Sequence, residues 1–295
     1  MEKLISLLIL GITLGSIYSL VALGMVVIYK ASKILNLAHG EAVVLLSFVV
    51  WTLSKSMGVP IWASVAIMIL FGGILGLTIQ LVAIRPLIGQ PILATMLMTF
   101  ALGFIIKGVM IFIWGGSMGT LPSVLPESEW NLWGVPISQQ YVCAFIISIL
   151  LFWLITLLYR RTKIGLGMRG VAESHIITQS LGVNVRTVFS ISWVVSFVLV
   201  AAAAFILSEM YDVTFEMDVF GLGKGLPVLL LGGLESIPGV FIGGLIVGVA
   251  EMLGEAYLDP VVGGGVREVV PFILMLLILL FKPYGLFGLK KIERV

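Results

Sequence analysis

The sequence contains apolar runs that are long enough to cross a lipid bilayer. The first extends from Leu4 to Tyr29 without a charged residue, and about 20 mainly apolar residues are enough for one transmembrane helix. Hydrophobic residues make up 60% of the 295-residue chain, and only 11% of the residues are charged. Because no water-soluble fold can cover that much apolar surface, the sequence predicts an integral membrane protein.

Counting about 20 apolar residues per crossing divides the chain into strong and weak candidate spans. The strong candidates lie near residues 4–29, 61–83, 91–113, 141–158, 188–208 and 238–256. Three weaker candidates are short or contain polar residues, and they lie near 36–53, 224–236 and 268–281. We therefore expect an all-α, polytopic membrane helix bundle of eight to nine transmembrane segments. Some segments are expected to be broken or re-entrant, and residues 1–295 are expected to form a single domain.

The distribution of charge predicts the orientation, because loops that face the cytoplasm carry an excess of Lys and Arg. The stretch 159–188 has five basic residues and one acid, Glu173, and the tail after Phe281 has four basic residues and one acid. By contrast, residues 115–140 and 208–220 contain acids and no basic residue. The first two stretches, including the C-terminus, are therefore expected to be cytoplasmic, and the last two are expected to be outer loops. Nine crossings with an outside N-terminus satisfy every loop, and eight follow if one weak segment only dips into the membrane.

Four glutamates lie near the ends of candidate spans. Glu209, Glu251 and Glu255 are near predicted outer ends, and Glu235 is near a predicted inner turn. Because an ionised side chain is costly inside the bilayer, we expect all four at the surface.

The 34 glycines include pairs spaced four residues apart, which lie on one face of a helix. Small residues at this spacing let the backbones of membrane helices approach each other closely. We expect these glycines to pack helices within the chain rather than to form a dimer seam. The pairs are Gly11 and Gly15, Gly72 and Gly76, Gly239 and Gly243, and Gly244 and Gly248.

The hydrophilic loop at about 159–188 contains a further predicted helix, from Met168 to Leu181. Gly182 suits a left-handed C-cap, and Asn184 suits the N-cap of the next span. The predicted helix has too small an apolar face and too few lysines for a helix lying on lipid. The pattern therefore favours docking to another protein over an interfacial helix.

The segment "ILNLAHGEAVVLL" sets Asn36, His39, Gly40 and Glu41 at the start of a weak span. Near the cytoplasmic surface, Asn36 would be the N-cap and Glu41 would complement the helix dipole. In the middle of the membrane, the same polar groups would mark a transport pathway. The residues alone leave both interpretations open.

Four separated segments resemble those of one family. They are "GITLGSIYSLVALGMVVIYKASKILNLAHGE", "GLGMRGVAESHIITQSLGVNV", "LPVLLLGGLESIPGVFIGGLIVGV" and "KPYGLFG". The sequences and the order of these segments resemble those of the permease subunits of branched-chain amino acid ABC transporters, over nearly the whole chain. One departure is Leu37, where the family more often has Phe.

The resemblance implies an ABC importer permease of a prokaryotic cytoplasmic (inner) membrane that carries branched-chain or other hydrophobic amino acids. It implies as partners two ATP-binding subunits, a second related permease subunit in a heterodimer, a periplasmic or extracellular substrate-binding protein and membrane lipid. Urea or short amides are the alternative cargo.

The resemblance also implies roles for particular residues. The helix start at 36–41 would line the substrate pathway, with Asn36, His39, Gly40 and Glu41 as the candidate residues. The loop would contain the helix that couples to the ATPase subunits, with the candidate residues Arg169, Gly170, Ala172, Glu173, Ser174, Leu181 and Gly182.

No Walker A pattern, zinc ligand set or haem ligand set occurs in the sequence. We therefore expect no enzyme activity, no cofactor and no metal in this chain, and any ATP hydrolysis would occur in partner subunits. The nearly balanced charge, 17 basic against 15 acidic residues, gives no reason to expect a nucleic-acid partner. A stand-alone channel or secondary carrier stays open as an alternative, although a channel has no need of the loop at 165–182 and the sequence shows no separate charged ion-coupling site for a carrier.

Overall fold

The fold is an assembly of long helices around a central first helix. A computed structural model describes residues 2–116, 118–126, 128–132 and 135–288. Its helices are α1 (Glu2–Ser32), α2 (His39–Trp51), α3 (Ile61–Ile79), α4 (Ile92–Trp114), α5 (Gln139–Arg161), α6 (Lys163–Glu173), α7 (His175–Ser180), α8 (Val185–Met210), α9 (Leu226–Gly232), α10 (Ile237–Tyr257), α11 (Asp259–Val262) and α12 (Val266–Phe281). Two short strands, β1 (Glu129–Leu132) and β2 (Val135–Ser138), form an antiparallel hairpin before α5.

Six helices in the described part of the chain are long and apolar enough to cross a membrane. They coincide with the six strong candidate spans of the sequence, which confirms a helical membrane protein. The three weak candidates correspond to shorter or irregular elements. These are α2 with its π-helical extension Thr52–Ser56, the 3₁₀ and π turns Phe215–Asp218 and Phe220–Gly225 that lead into α9, and α12. The β-hairpin is a small departure from the all-α prediction.

Helix α1 lies at the centre because α10 packs along it, backbone against backbone. A Cβ atom at Gly11 would lie 2.6 Å from the Val249 Cα, and Cβ atoms at Gly15 and Gly248 would overlap the backbone of the other helix. Side chains along the middle of α1, including Tyr18, are fully buried. The absence of glycine side chains therefore sets the distance between these two helices.

The outer helices differ in how closely they pack against the rest of the bundle. Gly76 of α3 packs on the Trp193 carbonyl group of α8, where a Cβ atom would be 2.7 Å away. Helices α4, α5 and α12 instead present large apolar side chains outward, such as Phe112, Trp153 and Leu280. Surfaces of this kind are suited to lipid or to another membrane subunit.

Polar contacts join the helix ends on each side of the bundle. At the side that we call the basic end, Lys33 Nζ lies 2.6 Å from Glu235 Oε1, and Lys30 Nζ donates to the Glu235 carbonyl group. At the opposite side, which we call the acidic end, Glu209 Oε2 accepts from the backbone N–H groups of Val124 and Leu125.

The prediction that the four glutamates lie at the surface is wrong for two of them. Glu251 is fully buried and Glu209 is nearly so, whereas Glu235 and Glu255 are partly exposed. Glu251 follows Gly244 and Gly248 at helical spacing, so it lies on the same face of α10 that packs against α1. Its carboxylate contacts Lys224 Nζ at 2.8 Å and accepts a hydrogen bond from the Tyr18 hydroxyl group.

The prediction of a single helix from Met168 to Leu181 is also wrong. The structure has two helices there, α6 and α7, which meet at Ser174. Ser174 is in an extended conformation, and its hydroxyl group accepts a hydrogen bond from the Ile177 N–H group. Serine competes well for this capping position and gains little inside a helix, which explains the break. Gly182 has φ of +85°, and Asn184 caps α8, both as predicted.

Candidate functional site

The connection between α1 and α2 turns back into the bundle. Lys33 takes φ of +57°, which ends α1, and residues 34–38 then run toward the interior. Asn36 Oδ1 accepts from the Ala38 N–H group, and Asn36 Nδ2 lies 3.2 Å from His39 Nδ1. Ala38, not Asn36, is the N-cap residue, so the capping interpretation of Asn36 is wrong. The Asn36 amide instead fixes the turn that positions His39.

Helix α2 begins deep inside the protein. His39 is fully buried, and a Cβ atom at Gly24 of α1 would lie 2.7 Å from His39 Nε2. The imidazole ring also packs edge-on against Phe197, close to the midpoint of the 26-residue α8. Thr99 of α4 also holds the turn, because its hydroxyl group accepts from the Leu37 N–H group and lies 3.2 Å from the Leu35 carbonyl oxygen.

Gly40 permits a backbone contact between α2 and the irregular segment 215–225. A Cβ atom at Gly40 would overlap the Asp218 carbonyl oxygen, and a Cβ atom at Gly221 would overlap the Gly40 Cα. Only glycine fits at both positions without a shift of backbone. This contact brings Asp218, which the sequence places in an outer loop, against the start of α2.

An ion pair that the sequence analysis missed lies beside Glu41. Lys107 Nζ of α4 is 2.6 Å from Asp218 Oδ2, and the Glu41 carboxylate packs against Gly103, one helical turn from Lys107. Lys107 is the only charged residue in α4. A charge near the bilayer centre costs about 2.5–3.5 kcal/mol on insertion scales. That single lysine within an apolar run was therefore the signal that could have found this group.

The loop between α5 and α8 forms a compact unit at the basic end. The Arg169 guanidinium group donates to the Tyr159 carbonyl group and lies over the Tyr159 ring, and Gly170 packs on the Thr178 side chain. Ala172 and Ser174 are half-buried and Glu173 is exposed. Leu181 is 78% exposed beside Gly182. Leu181 also lines an apolar cleft of about 730 Å³ that separates α6 from the start of α8.

Two of the four segments that resemble the permease family, the one that begins "LPVLLLGG" and the closing "KPYGLFG", meet at the basic end. The Leu286 N–H group donates to the Leu231 carbonyl group, and Gly285, with φ of +79°, packs against Gly233. The "KPYGLFG" segment therefore closes over the end of α9, beside the ion pair of Lys33 and Glu235. No cluster of three metal-ligating side chains occurs among the residues that the structure describes.

The sequence model of one family, described as branched-chain amino acid transport system / permease component, matches residues 7–279. The chain belongs to this family. The permease is 32% identical to the high-affinity branched-chain amino acid transport system permease protein BraD of Pseudomonas aeruginosa, over 97% of this chain and 96% of that protein. It is 30% identical to LivH of Salmonella typhimurium, with the same coverage.

An archaeal relative is similar over the same extent. The permease is 30% identical to the probable branched-chain amino acid transport permease protein LivH of Methanocaldococcus jannaschii, over 97% of this chain and 93% of that protein. Among solved structures, PsaBC from Streptococcus pneumoniae in complex with Fab aligns over 94% of this chain and 91% of that chain, at 12% identity and a TM-score of 0.47. The family assignment rests on the sequence matches alone.

These matches establish the general class of the molecule. The permease is a multi-pass membrane protein of a transport family, which is not a class of enzymes. It is a transmembrane subunit of a branched-chain amino acid transport system, and the alternatives of a urea permease or a stand-alone channel are not favoured.

Proposed function

We propose that the permease moves branched-chain or other hydrophobic amino acids inward as the membrane subunit of an ATP-driven ABC importer. The observation that carries this proposal is the family match over residues 7–279. The proposed partners are two ATP-binding subunits, a second related permease subunit and a periplasmic or extracellular substrate-binding protein. The names of the relatives, which are permease proteins of transport systems, support a multi-subunit assembly.

The proposed topology has eight to nine crossings, with the basic end, including the C-terminus, in the cytoplasm and, for nine crossings, the N-terminus outside. The six long helices, together with the shorter elements, would supply the crossings, and residues 1–295 are proposed as one permease domain. The contacts of Lys30 and Lys33 with Glu235 support this topology, because they join the ends of three predicted inward-facing elements.

This proposal is tested by purifying the permease in mild detergent through a tag at Val295 and identifying the co-purifying chains by mass spectrometry. We expect two ATP-binding subunits and a second permease in stoichiometric amounts. Reconstituted with its binding protein in proteoliposomes, the complex is expected to take up leucine only with ATP. Recovery of the chain alone, even after gentler extraction, would contradict the proposal and favour a channel or secondary carrier.

We also propose that the buried helix start lines the substrate pathway, with Asn36, His39, Gly40 and Glu41 as its residues. Irregular backbone within a membrane is tolerated where it lines a cavity or is buried in protein, and broken helices form substrate sites in many transporters. The burial of Asn36 and His39 between α1 and α8 supports this role over a surface helix cap.

Replacement of His39 with leucine is expected to lower leucine uptake at least tenfold while the complex still assembles. Leucine fills a similar volume but cannot hydrogen-bond to Asn36. Uptake by proteoliposomes and recovery of partner subunits measure the two effects separately. His39→Gln, which keeps a polar group, is the matched control and is expected to retain more uptake. Normal uptake by His39→Leu would contradict the pathway role.

The loop with α6 and α7 is proposed as the element that couples the permease to an ATP-binding subunit. Arg169 and Gly170 would hold its shape, Ala172, Glu173 and Ser174 would form the bend between α6 and α7, and Leu181 beside Gly182 would contact the partner. The exposure of Leu181 at the rim of an apolar cleft supports this proposal, because a large exposed apolar side chain beside a cleft is typical of a docking surface.

Replacement of Leu181 with aspartate is expected to reduce co-purification of the ATP-binding subunits at least fivefold without unfolding the permease. A carboxylate would have to be desolvated at the interface. Quantitative mass spectrometry of the tagged complex measures the loss. Met57→Asp puts the same charge at an exposed apolar residue far from the loop and is the matched control. Equal recovery with both variants would exclude Leu181 from the interface.

A further inference from the structure

The ion pair of Lys107 and Asp218 lies at the level of the membrane interior, and both side chains are about one-third exposed. Lys107 is four residues beyond Gly103, the midpoint of α4, and so about 6 Å from the helix centre. Its side chain is 38% exposed and that of Asp218 is 31% exposed. Charged side chains are costly next to lipid hydrocarbon, because the bilayer core provides neither water nor hydrogen-bond partners. The exposed side of the pair therefore faces a hydrated path or a neighbouring subunit.

The faces of α4 define where that path lies. Gly103 and Met110, one turn to either side of Lys107, are buried against the rest of the permease, whereas Phe104 is largely exposed. Lys107 lies at the border between these faces, and Asp218 reaches it from the irregular segment that touches Gly40. The pair is thus next to the proposed pathway residues and open on one side.

Glu41 adds a second carboxylate to the pair. It lies in the first turn of α2 against Gly103, close enough to interact electrostatically with both Lys107 and Asp218. Its buried Oε2 atom has no hydrogen-bond partner on another residue within the described ranges. One ammonium group therefore neutralises only one of two neighbouring carboxylates, and the second can accept a cation.

We infer that Lys107, Asp218 and Glu41 bind the charged head group of the amino acid during its passage. This inference rests on the proposed function. A free α-amino acid carries a carboxylate and an ammonium group on the same carbon atom, and an apolar path would strip both of water. The substrate carboxylate binds Lys107 in place of Asp218, and its ammonium group binds the two protein carboxylates. An uncharged cargo such as urea would need no such set, so the cluster selects for zwitterions.

The test compares leucine with two analogues that each lack one charge, by scintillation-proximity binding to the purified complex. Leucinol keeps the ammonium group without the carboxylate, and 4-methylpentanoate keeps the carboxylate without the ammonium group. Wild-type complex is expected to bind leucine at least tenfold more tightly than either analogue. In Lys107→Gln the preference over leucinol is expected to fall below threefold, and in Glu41→Gln the preference over 4-methylpentanoate is expected to do the same.

The controls separate a binding role from a structural one. Lys107→Arg keeps the charge and is expected to keep the preference, and Lys55→Gln removes an exposed lysine elsewhere and is expected to change nothing. Glu41→Gln breaks no ion pair, so it tests the site even where Lys107→Gln fails to assemble. Unchanged preferences in the assembled variants would overturn the inference while wild-type leucine transport upheld the proposed function. A wild-type complex that does not transport leucine would instead overturn the proposed function.

Discussion

Replacement of Gly40 with alanine is expected to destabilise the permease by about 1–3 kcal/mol, the usual cost of forcing extra volume into a packed interior. The added methyl group would overlap the Asp218 carbonyl oxygen, which belongs to a backbone that cannot rotate away. We also expect leucine uptake to fall at least tenfold, because the shift would separate α2 from the segment 215–225. Thermal unfolding in detergent and uptake by proteoliposomes measure the two effects.

Two further variants sharpen this prediction. Gly221→Ala adds a methyl group on the other side of the same contact and is expected to have a similar effect. Gly73→Ala is the matched control, because its Cβ atom would lie 3.6 Å from Val194 and Val198, an ordinary van der Waals distance. A melting temperature for Gly40→Ala equal to that of Gly73→Ala would show that the contact between α2 and the irregular segment does not constrain the fold.

Replacement of Glu251 with glutamine is expected to destabilise the permease by about 3–5 kcal/mol, because it breaks a buried ion pair. The Glu251 side chain is 0% exposed and that of Lys224 is 5% exposed, with 2.8 Å between carboxylate oxygen and Nζ. Removing one charge leaves the other buried without its counter-ion. The thermal unfolding midpoint of the purified complex measures the loss.

Glu255 supplies the matched control for this prediction. Its carboxylate lies 3.6 Å from Arg267, which also lies near Glu251, but the Glu255 side chain is 43% exposed. Glu255→Gln is therefore expected to cost less than about 1 kcal/mol. The double replacement Glu251→Leu with Lys224→Met removes both buried charges and is expected to recover most of the stability. If Glu251→Gln unfolded at the same temperature as Glu255→Gln, the buried pair would contribute no net stability.

The apolar runs were sufficient to predict the six long helices, because a helix that crosses a membrane is defined by length and apolarity alone. Apolar runs did not predict how deeply the turn between α1 and α2 returns into the bundle. Residues 34–38 carry no local signal for how far they return into the bundle, and only the contact of His39 with α1 and α8 sets that depth. For the same reason Asp218 was assigned to a loop.

Burial of Glu251 could have been predicted from the sequence, because it shares a helix face with Gly244 and Gly248. The prediction went wrong by treating each glutamate by its distance from a helix end, without regard to helical phase. Lys107 was visible as a charge in an apolar run, but its partner was not, since Asp218 is 111 residues away in sequence. Long-range pairing of this kind depends on the tertiary fold, which local patterns do not encode.

The glycine contacts between α1 and α10 restrict how the permease can move during a transport cycle. Because each glycine accommodates the backbone of the opposite helix, a slide of either helix by one residue would drive side chains into that backbone. We therefore expect the two helices to move as one body, so that the alternating access expected of an importer would come from other helices. We expect this motion among the outer helices, such as α4 and α5, which bury little of their surface within the described part of the chain.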